Sequence, residues 1–225
     1  MPPCFIDRAD AGRQLAARLA LEPLPPPIVV LALPRGGVPI GTEVARRLGA
    51  PLDLLLVRKI GAPWQRELAV AAVVEGDGPE VVIDEETLAA SGASPAYVQQ
   101  QAKLEWREIE RRRARYLQGR ARPALAGATV VVVDDGIATG TTVRAALQAL
   151  RRRAPGRLVL AVPVAPRDTL AWLAGEVDQL VCLATPEPFH AVGPHYRDFH
   201  QVEDDEVIAA LDAAAGSATS GSPRP

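Results

Sequence analysis

The chain is poor in several residue types, and each shortage narrows what it can be. Cysteine occurs only as Cys4 and Cys182 among 225 residues. Two such distant thiols build no disulfide framework, which favours a reducing, cytoplasmic setting. Cys182 falls in an apolar stretch and reads as a core residue. Lysine occurs only as Lys59 and Lys103, so arginine carries most of the positive charge and Lys59 stands out. Charge is nearly balanced, with a formal net of −2, which gives no strong steering toward nucleic acid or a membrane surface. No apolar run reaches the length of a membrane span. No basic region followed by a long apolar stretch marks a signal peptide at the N-terminus. Aromatic residues are scarce at 4%, so the few that cluster draw notice. The chain has neither the G-x-G-x-x-G that follows a strand in dinucleotide-binding folds nor the Gly-Lys-Ser/Thr of a Walker loop. Apolar content of 48% and charged content of 23% are those of a globular domain.

What the chain does have is concentrated in Val130-Val131-Val132-Val133-Asp134-Asp135-Gly136-Ile137-Ala138-Thr139-Gly140-Thr141-Thr142. Four β-branched residues predict a buried strand, and two adjacent acids end it. A loop of small and hydroxyl residues then opens a helix at Val143-Arg144-Ala145-Ala146-Leu147. The N–H groups of a first helical turn, with the helix dipole behind them, make an anion site. Thr139, Thr141 and Thr142 add hydroxyl donors, so the loop suits a phosphate monoester. The two carboxylates would repel phosphate and must serve another part of the ligand. Sugar hydroxyls or a phosphate-bound Mg²⁺ would fit, and a phosphorylated ribose supplies both needs.

This stretch resembles the signature of the type I phosphoribosyltransferases, which bind phosphoribosyl pyrophosphate. The resemblance implies that Asp134 and Asp135 contact the ribose hydroxyls and that Ala138, Thr139, Gly140, Thr141 and Thr142 wrap the 5′-phosphate. It also implies Mg²⁺ as cofactor, held mainly by the substrate's own oxygens and in part through Asp134 and Asp135. A second segment supports it. Residues 28–33 read as an apolar strand and run into Pro34-Arg35-Gly36-Gly37. Paired glycines let backbone amides approach a ligand closely, and Arg35 offers a forked cation suited to phosphate oxygens. In the resembled family such a loop holds pyrophosphate, which makes Arg35, Gly36 and Gly37 the pyrophosphate candidates.

Further along lies Val57-Arg58-Lys59-Ile60-Gly61-Ala62-Pro63-Trp64-Gln65-Arg66-Glu67. By resemblance, a mobile loop in this region closes over the substrate and excludes water from a sugar cation. Arg58 and Lys59 would neutralise departing pyrophosphate, and Glu67 would handle a proton on the incoming base or orient a cation. As residues alone, the same stretch is also an ordinary charged surface hairpin. Two departures from the family pattern matter. The 6-oxopurine branch has an acid where this chain has Ala138, which points to the adenine or orotate branches instead. Gly136 replaces a bulkier apolar residue, which would loosen the loop.

The element order predicts an α/β fold, a mostly parallel sheet flanked by helices. Asp7 caps a first helix to about Ala20, and the Pro23–Pro27 cluster stops it. Strands follow at 28–33, 52–58, 68–74 and 80–84. A long inserted helix runs from Ser94-Pro95 to about Gln118, with an apolar stripe at Val98, Ala102, Trp106 and Ile109. Strand 129–134, helix 141–152, strand 157–164, helix 167–174, strand 178–183 and a last helix near 204–213 complete the order. One domain over 1–213 is expected, with a core of about 25–165 and a small C-terminal hood of about 166–205. Residues 214–225 read as a disordered tail.

Three clusters ask for a role. Arg111-Arg112-Arg113-Ala114-Arg115 reads as a salt-bridged helix face, with Glu108–Arg112 and Glu110–Arg113 as its pairs, rather than a nucleic-acid patch. His190, His195 and His200 lie at five-residue spacing in a proline-bearing loop, which suits no single helix or strand face. The loop 188–199 holds much of the aromatic content, and Phe189 or Tyr196 could stack on a planar acceptor. The expected function is transfer of a 5-phosphoribosyl group from Mg²⁺-phosphoribosyl pyrophosphate to a nitrogenous base or similar small-molecule acceptor. The alternative is a non-catalytic sensor of phosphoribosyl pyrophosphate or a nucleotide on the same fold. The resembled family is often dimeric, which makes a homodimer the implied assembly; neither a membrane nor a nucleic acid is expected as partner.

Overall fold

The computed structural model describes residues 4–219. Five parallel strands form the central sheet in the order β2–β1–β6–β7–β8, over Leu52–Leu54, Ile28–Ala32, Thr129–Val133, Arg157–Val164 and Gln179–Ala184. The inner strands are apolar on both faces because both faces are covered. Val30, Ala32, Val131, Val133, Val159 and Ala161 face one core, shared with helices α1 (Arg8–Leu19), α2 (Gly37–Leu48) and α7 (Asp204–Thr219). Val29, Leu31, Val130, Val132, Leu158 and Leu160 face the other, built largely on α5 (Thr141–Arg152). Asp7 caps α1 by accepting from the Asp10 N–H at 2.7 Å.

A second, antiparallel sheet, β3 (Val57–Ala62), β4 (Gln65–Val74) and β5 (Glu80–Ile83), leans on α5. Here the expected strand 52–58 is corrected. Leu52–Leu54 pairs with β1, while Val57 onward pairs with β4. The run Leu54-Leu55-Leu56-Val57 contains no Gly or Pro to mark the crossing, and Leu54, Leu55 and Leu56 are all buried, so the pattern reads as continuous. The long inserted helix is α4 (Pro95–Leu117), capped by Ser94 and packed along β3 and β4. A short helix α3 (Glu85–Ser91), capped by Asp84, precedes it and is absent from the expected order. Helix α6 (Arg167–Leu173) and β8 fall within the span assigned to the hood, yet β8 is an edge strand of the main sheet. The last helix continues through Thr219, into the stretch expected as tail; residues 220–225 lie outside the described ones.

Candidate active site

The strand order reverses direction between β1 and β6: β1 leads to β2 on one side, and β6 leads to β7 and β8 on the other. In open parallel sheets the crevice beyond the strand ends at such a reversal is where ligands bind. Both candidate loops sit there. They touch so closely that glycine is required. A Cβ on Gly36 would lie 2.0 Å from Asp135 Oδ2, and one on Gly37 would lie 2.8 Å from the Val133 carbonyl oxygen. The peptide between Pro34 and Arg35 is cis. Because its Cβ would meet Asp135, Gly36→Ala is expected to destabilise the fold by about 1–3 kcal/mol through overpacking, read as a lower denaturant midpoint at unchanged slope.

Beneath these glycines lie the two acids. Asp134 Oδ1 accepts the Asp135 N–H at 2.9 Å. Burial, with Asp135 alongside, pushes Asp134 well above the ordinary carboxylate range. Burial also raises Asp135, opposed by Arg8, whose Nε donates to Asp135 Oδ2 at 2.8 Å. The structure thus holds adjacent desolvated carboxylates that favour a hydroxyl donor or a cation.

Beside them, α5 begins without a side-chain cap and without an acid in its first turn. Its N-cap is Gly140, at φ 78°. Ala138, Thr139 and Thr142 are exposed and Thr141 is half-buried, and the Ala138 carbonyl is tied back by the Thr169 hydroxyl at 2.8 Å. This is an anion cradle open to solvent. The space beside Gly136 is filled by other side chains. A Cβ there would meet Val192 Cγ1 at 2.6 Å and Val164 Cγ1 at 2.9 Å. The C-terminal segment supplies the apolar bulk that position 136 lacks.

Pro34, Asp134, Thr142 and Arg58 line one cleft, with Ile109 and Arg112 of α4 as its far wall. It adjoins a second, bordered by Lys59, Arg66, Glu67, Tyr97, Gln101 and Glu105, with Arg58 and Thr142 common to both. The segment expected as a mobile closing loop is a β-hairpin here. The Tyr97 hydroxyl donates to the Gly61 carbonyl at 2.9 Å and Trp64 Nε1 to the Ser91 carbonyl at 2.8 Å, tying it to α4 and α3. Each candidate cation is paired with a carboxylate: Arg58 with Glu105 at 2.7 Å, Lys59 with Glu67 at 2.6 Å, and Arg35 with Glu203 and Asp204 at 3.6 Å. The Lys59 contact holds the exposed Glu67 below its usual range.

Of the two aromatic candidates, Tyr196 is buried and Phe189 is half-buried. Tyr196 is 4% exposed, its ring lies against Phe5 and Phe199, and its hydroxyl donates to the Asp135 carbonyl at 2.5 Å. It supports the site from behind and offers no face to an acceptor. Phe189 stacks on His195 at 5.1 Å and packs against the main core. Among the described residues no group of three or more His, Cys, Asp or Glu side chains is placed to hold a metal, and no helix is long and apolar enough to cross a membrane. Glu108 pairs with Arg112 as expected and also with Arg111, and falls to about 2 under their hydrogen bonds. Arg113 does not pair with Glu110; it turns inward to Glu75 and Asp53. Sequence reasoning missed Arg8 and Glu105, each a lone residue on a helix with no local motif to announce it, and read Arg112 only as part of a salt-bridged helix face.

Comparison with known proteins agrees with this geometry. The family model "Phosphoribosyl transferase domain" matches residues 7–176. Two Mycobacterium tuberculosis proteins, from strains CDC 1551 and H37Rv and both named "Putative phosphoribosyl transferase", are 49% identical over 210 residues, covering 93% of this chain and 47% of theirs. The chain therefore spans about half the length of the curated relatives it matches. The crystal structure of TT1426 from Thermus thermophilus superposes with a TM-score of 0.81 at 43% identity, covering 94% of this chain and 98% of that one. With its parallel sheet, paired loops and acid-flanked helix start, the chain belongs to the phosphoribosyl transferase domain family.

Proposed function

We propose that this domain binds Mg²⁺-phosphoribosyl pyrophosphate and transfers its 5-phosphoribosyl group to a nitrogenous base or similar acceptor, releasing pyrophosphate. One observation carries the reading: an uncapped helix start and two half-buried carboxylates meet under a Gly-Gly loop at the sheet's reversal point. The first-turn N–H groups of α5 and the hydroxyls of Thr139, Thr141 and Thr142 take the 5′-phosphate. Asp134 and Asp135 accept from the ribose hydroxyls and so orient the sugar. Arg35, Arg58 and Lys59 turn from their carboxylate partners to the pyrophosphate oxygens and stabilise the charge that develops there. Glu67, released from Lys59, is placed to take a proton from the acceptor. The hairpin and α4 wall the cleft against water, which would trap the sugar cation.

The donor set fits Mg²⁺. Asp134 brings hard carboxylate oxygens to the cleft, and two adjacent half-buried carboxylates, both raised from their ordinary range, are relieved by a nearby cation. When bound, the ion supplies further charge neutralisation on the pyrophosphate. The lack of an acid at position 138 favours adenine or orotate over a 6-oxopurine as acceptor.

The test is incubation of the protein with labelled phosphoribosyl pyrophosphate, Mg²⁺ and a panel of adenine, orotate and hypoxanthine. Pyrophosphate release with one base is the expected result. Tight binding without release for any acceptor would favour a sensor, and no binding at all would sink both.

A further inference from the structure

We propose that Arg8 is a positioning residue for sugar recognition, fixing the Asp135 carboxylate so that its second oxygen meets a ribose hydroxyl. The inference rests on the proposed function. Arg8 lies 127 residues from Asp135 in sequence, yet its Nε donates to Asp135 Oδ2 at 2.8 Å and only 9% of its side chain is exposed. The rest of the guanidinium is also held. Nη1 donates to the His200 carbonyl at 2.7 Å, and the plane lies 3.8 Å above the Phe199 ring. A fork, a flat cation and a stack are properties of arginine that lysine does not share.

The surroundings fix Arg8 in turn. The Cys4 and Phe5 N–H groups donate to the His195 carbonyl at 2.9 and 3.0 Å, and the Arg197 and Asp198 N–H groups donate to the Phe5 and Ile6 carbonyls at 3.0 and 2.9 Å. The first and last segments of the fold are thereby zipped together directly behind the acid pair. The same zipper brings the Tyr196 hydroxyl to the Asp135 carbonyl. Asp135 is gripped at its backbone by one segment and at its carboxylate by the other. Oδ2 is committed to Arg8, which leaves Oδ1 as the oxygen to meet the sugar. A buried ion pair whose acid also serves a ligand exerts its effect through geometry, because a carboxylate free to rotate spends less time aligned.

The experiment compares binding of ribose 5-phosphate and of inorganic phosphate by calorimetry in wild type, Arg8→Gln and Arg8→Lys. The ratio of the two dissociation constants isolates the sugar from the phosphate. Wild type is expected to prefer ribose 5-phosphate by about tenfold or more, the scale of hydrogen bonds to a charged group. Arg8→Gln should lose most of that preference while its phosphate affinity stays within about twofold. Arg8→Lys, which keeps charge without the fork, should fall between, and it supplies the reading if the glutamine variant does not fold. A merely structural role would weaken both ligands together, which would overturn the inference. So would a sugar preference in either variant equal to wild type. Wild type binding inorganic phosphate but showing no sugar preference would overturn it too, leaving the phosphate cradle intact. Wild type binding neither ligand would instead overturn the proposed function itself.

Discussion

Asp134→Asn is expected to lower the proposed phosphoribosyl transfer by about 100- to 1,000-fold, the scale of removing one preorganised electrostatic group from an active site, while raising the thermal midpoint in metal-free buffer at pH 8. The two effects share one cause. Asp134 is held well above its ordinary 3.8 by burial and by Asp135, so its ionised form is disfavoured in the folded state. Between 3.8 and the raised value the folded state binds more protons than the unfolded state, and wild-type stability falls as pH rises through that window. Asparagine removes this penalty. The stability difference should therefore open as pH rises through the window and close below it. Asp135→Asn should cost comparable activity and shift the midpoint the same way by less, because Arg8 already offsets part of the burial penalty on Asp135. Melting curves of both variants from pH 3 to 8, set beside pyrophosphate release, check the pair. A lower midpoint for Asp134→Asn at pH 8, or wild-type turnover in either variant, would count against the assignment.

That asymmetry between adjacent acids is not legible in the sequence, although the acids themselves are. Val130 to Thr142 is a local signal: strand, acids, loop and helix start follow one another, so neighbours in sequence are neighbours in space. The same holds for Pro34 to Gly37 and for the caps Asp7 and Ser94. The residues that separate Asp134 from Asp135 are not local. Arg8 arrives from α1, and Tyr196 from the C-terminal segment. Gly136 shows the same limit from the other side. A small residue there reads as looseness until Val192, 56 positions away in the chain, fills the space. Tyr196 and Phe189 both read as candidates to meet an acceptor because a proline-bearing loop gives no periodicity from which to judge burial. Their true neighbours, Phe5 and His195, come from chain zipping and from a single 3₁₀ turn at Gly193–His195. The strand break at Leu55-Leu56 leaves no mark because both sides of it are buried.

Glu75→Ala is expected to destabilise the protein by about 3–5 kcal/mol, lowering the thermal midpoint by roughly 10 °C for a domain of this size. Glu75, at the end of β4, is 3% exposed. Its carboxylate accepts from Arg113 Nη1 at 2.6 Å and Arg122 Nη2 at 3.0 Å, and its backbone carbonyl accepts from Arg153. Arg113 also reaches Asp53 of β2 at 3.2 Å. The cluster therefore bolts α4 to both sheets at the point where the chain crosses between them. Burial still pushes Glu75 upward despite both arginines, so desolvation is only partly offset and the pair stabilises chiefly by being complete. Arg113→Met should accordingly be more damaging at pH 8 than at pH 5, because the carboxylate left behind is more often ionised at the higher pH. Glu75→Met with Arg113→Met should lose less than the two single changes summed, since Glu75 and Arg113 no longer strand each other and Arg122, more than a third exposed, can turn to water, while the loss of the Asp53 partner remains. The consequence for the site follows from adjacency. Arg112 and Ile109 line the cleft from the same helix, so the single variants should weaken pyrophosphate binding, while the double variant should recover part of it. Full additivity in the melting data would mean that the groups do not act as one unit.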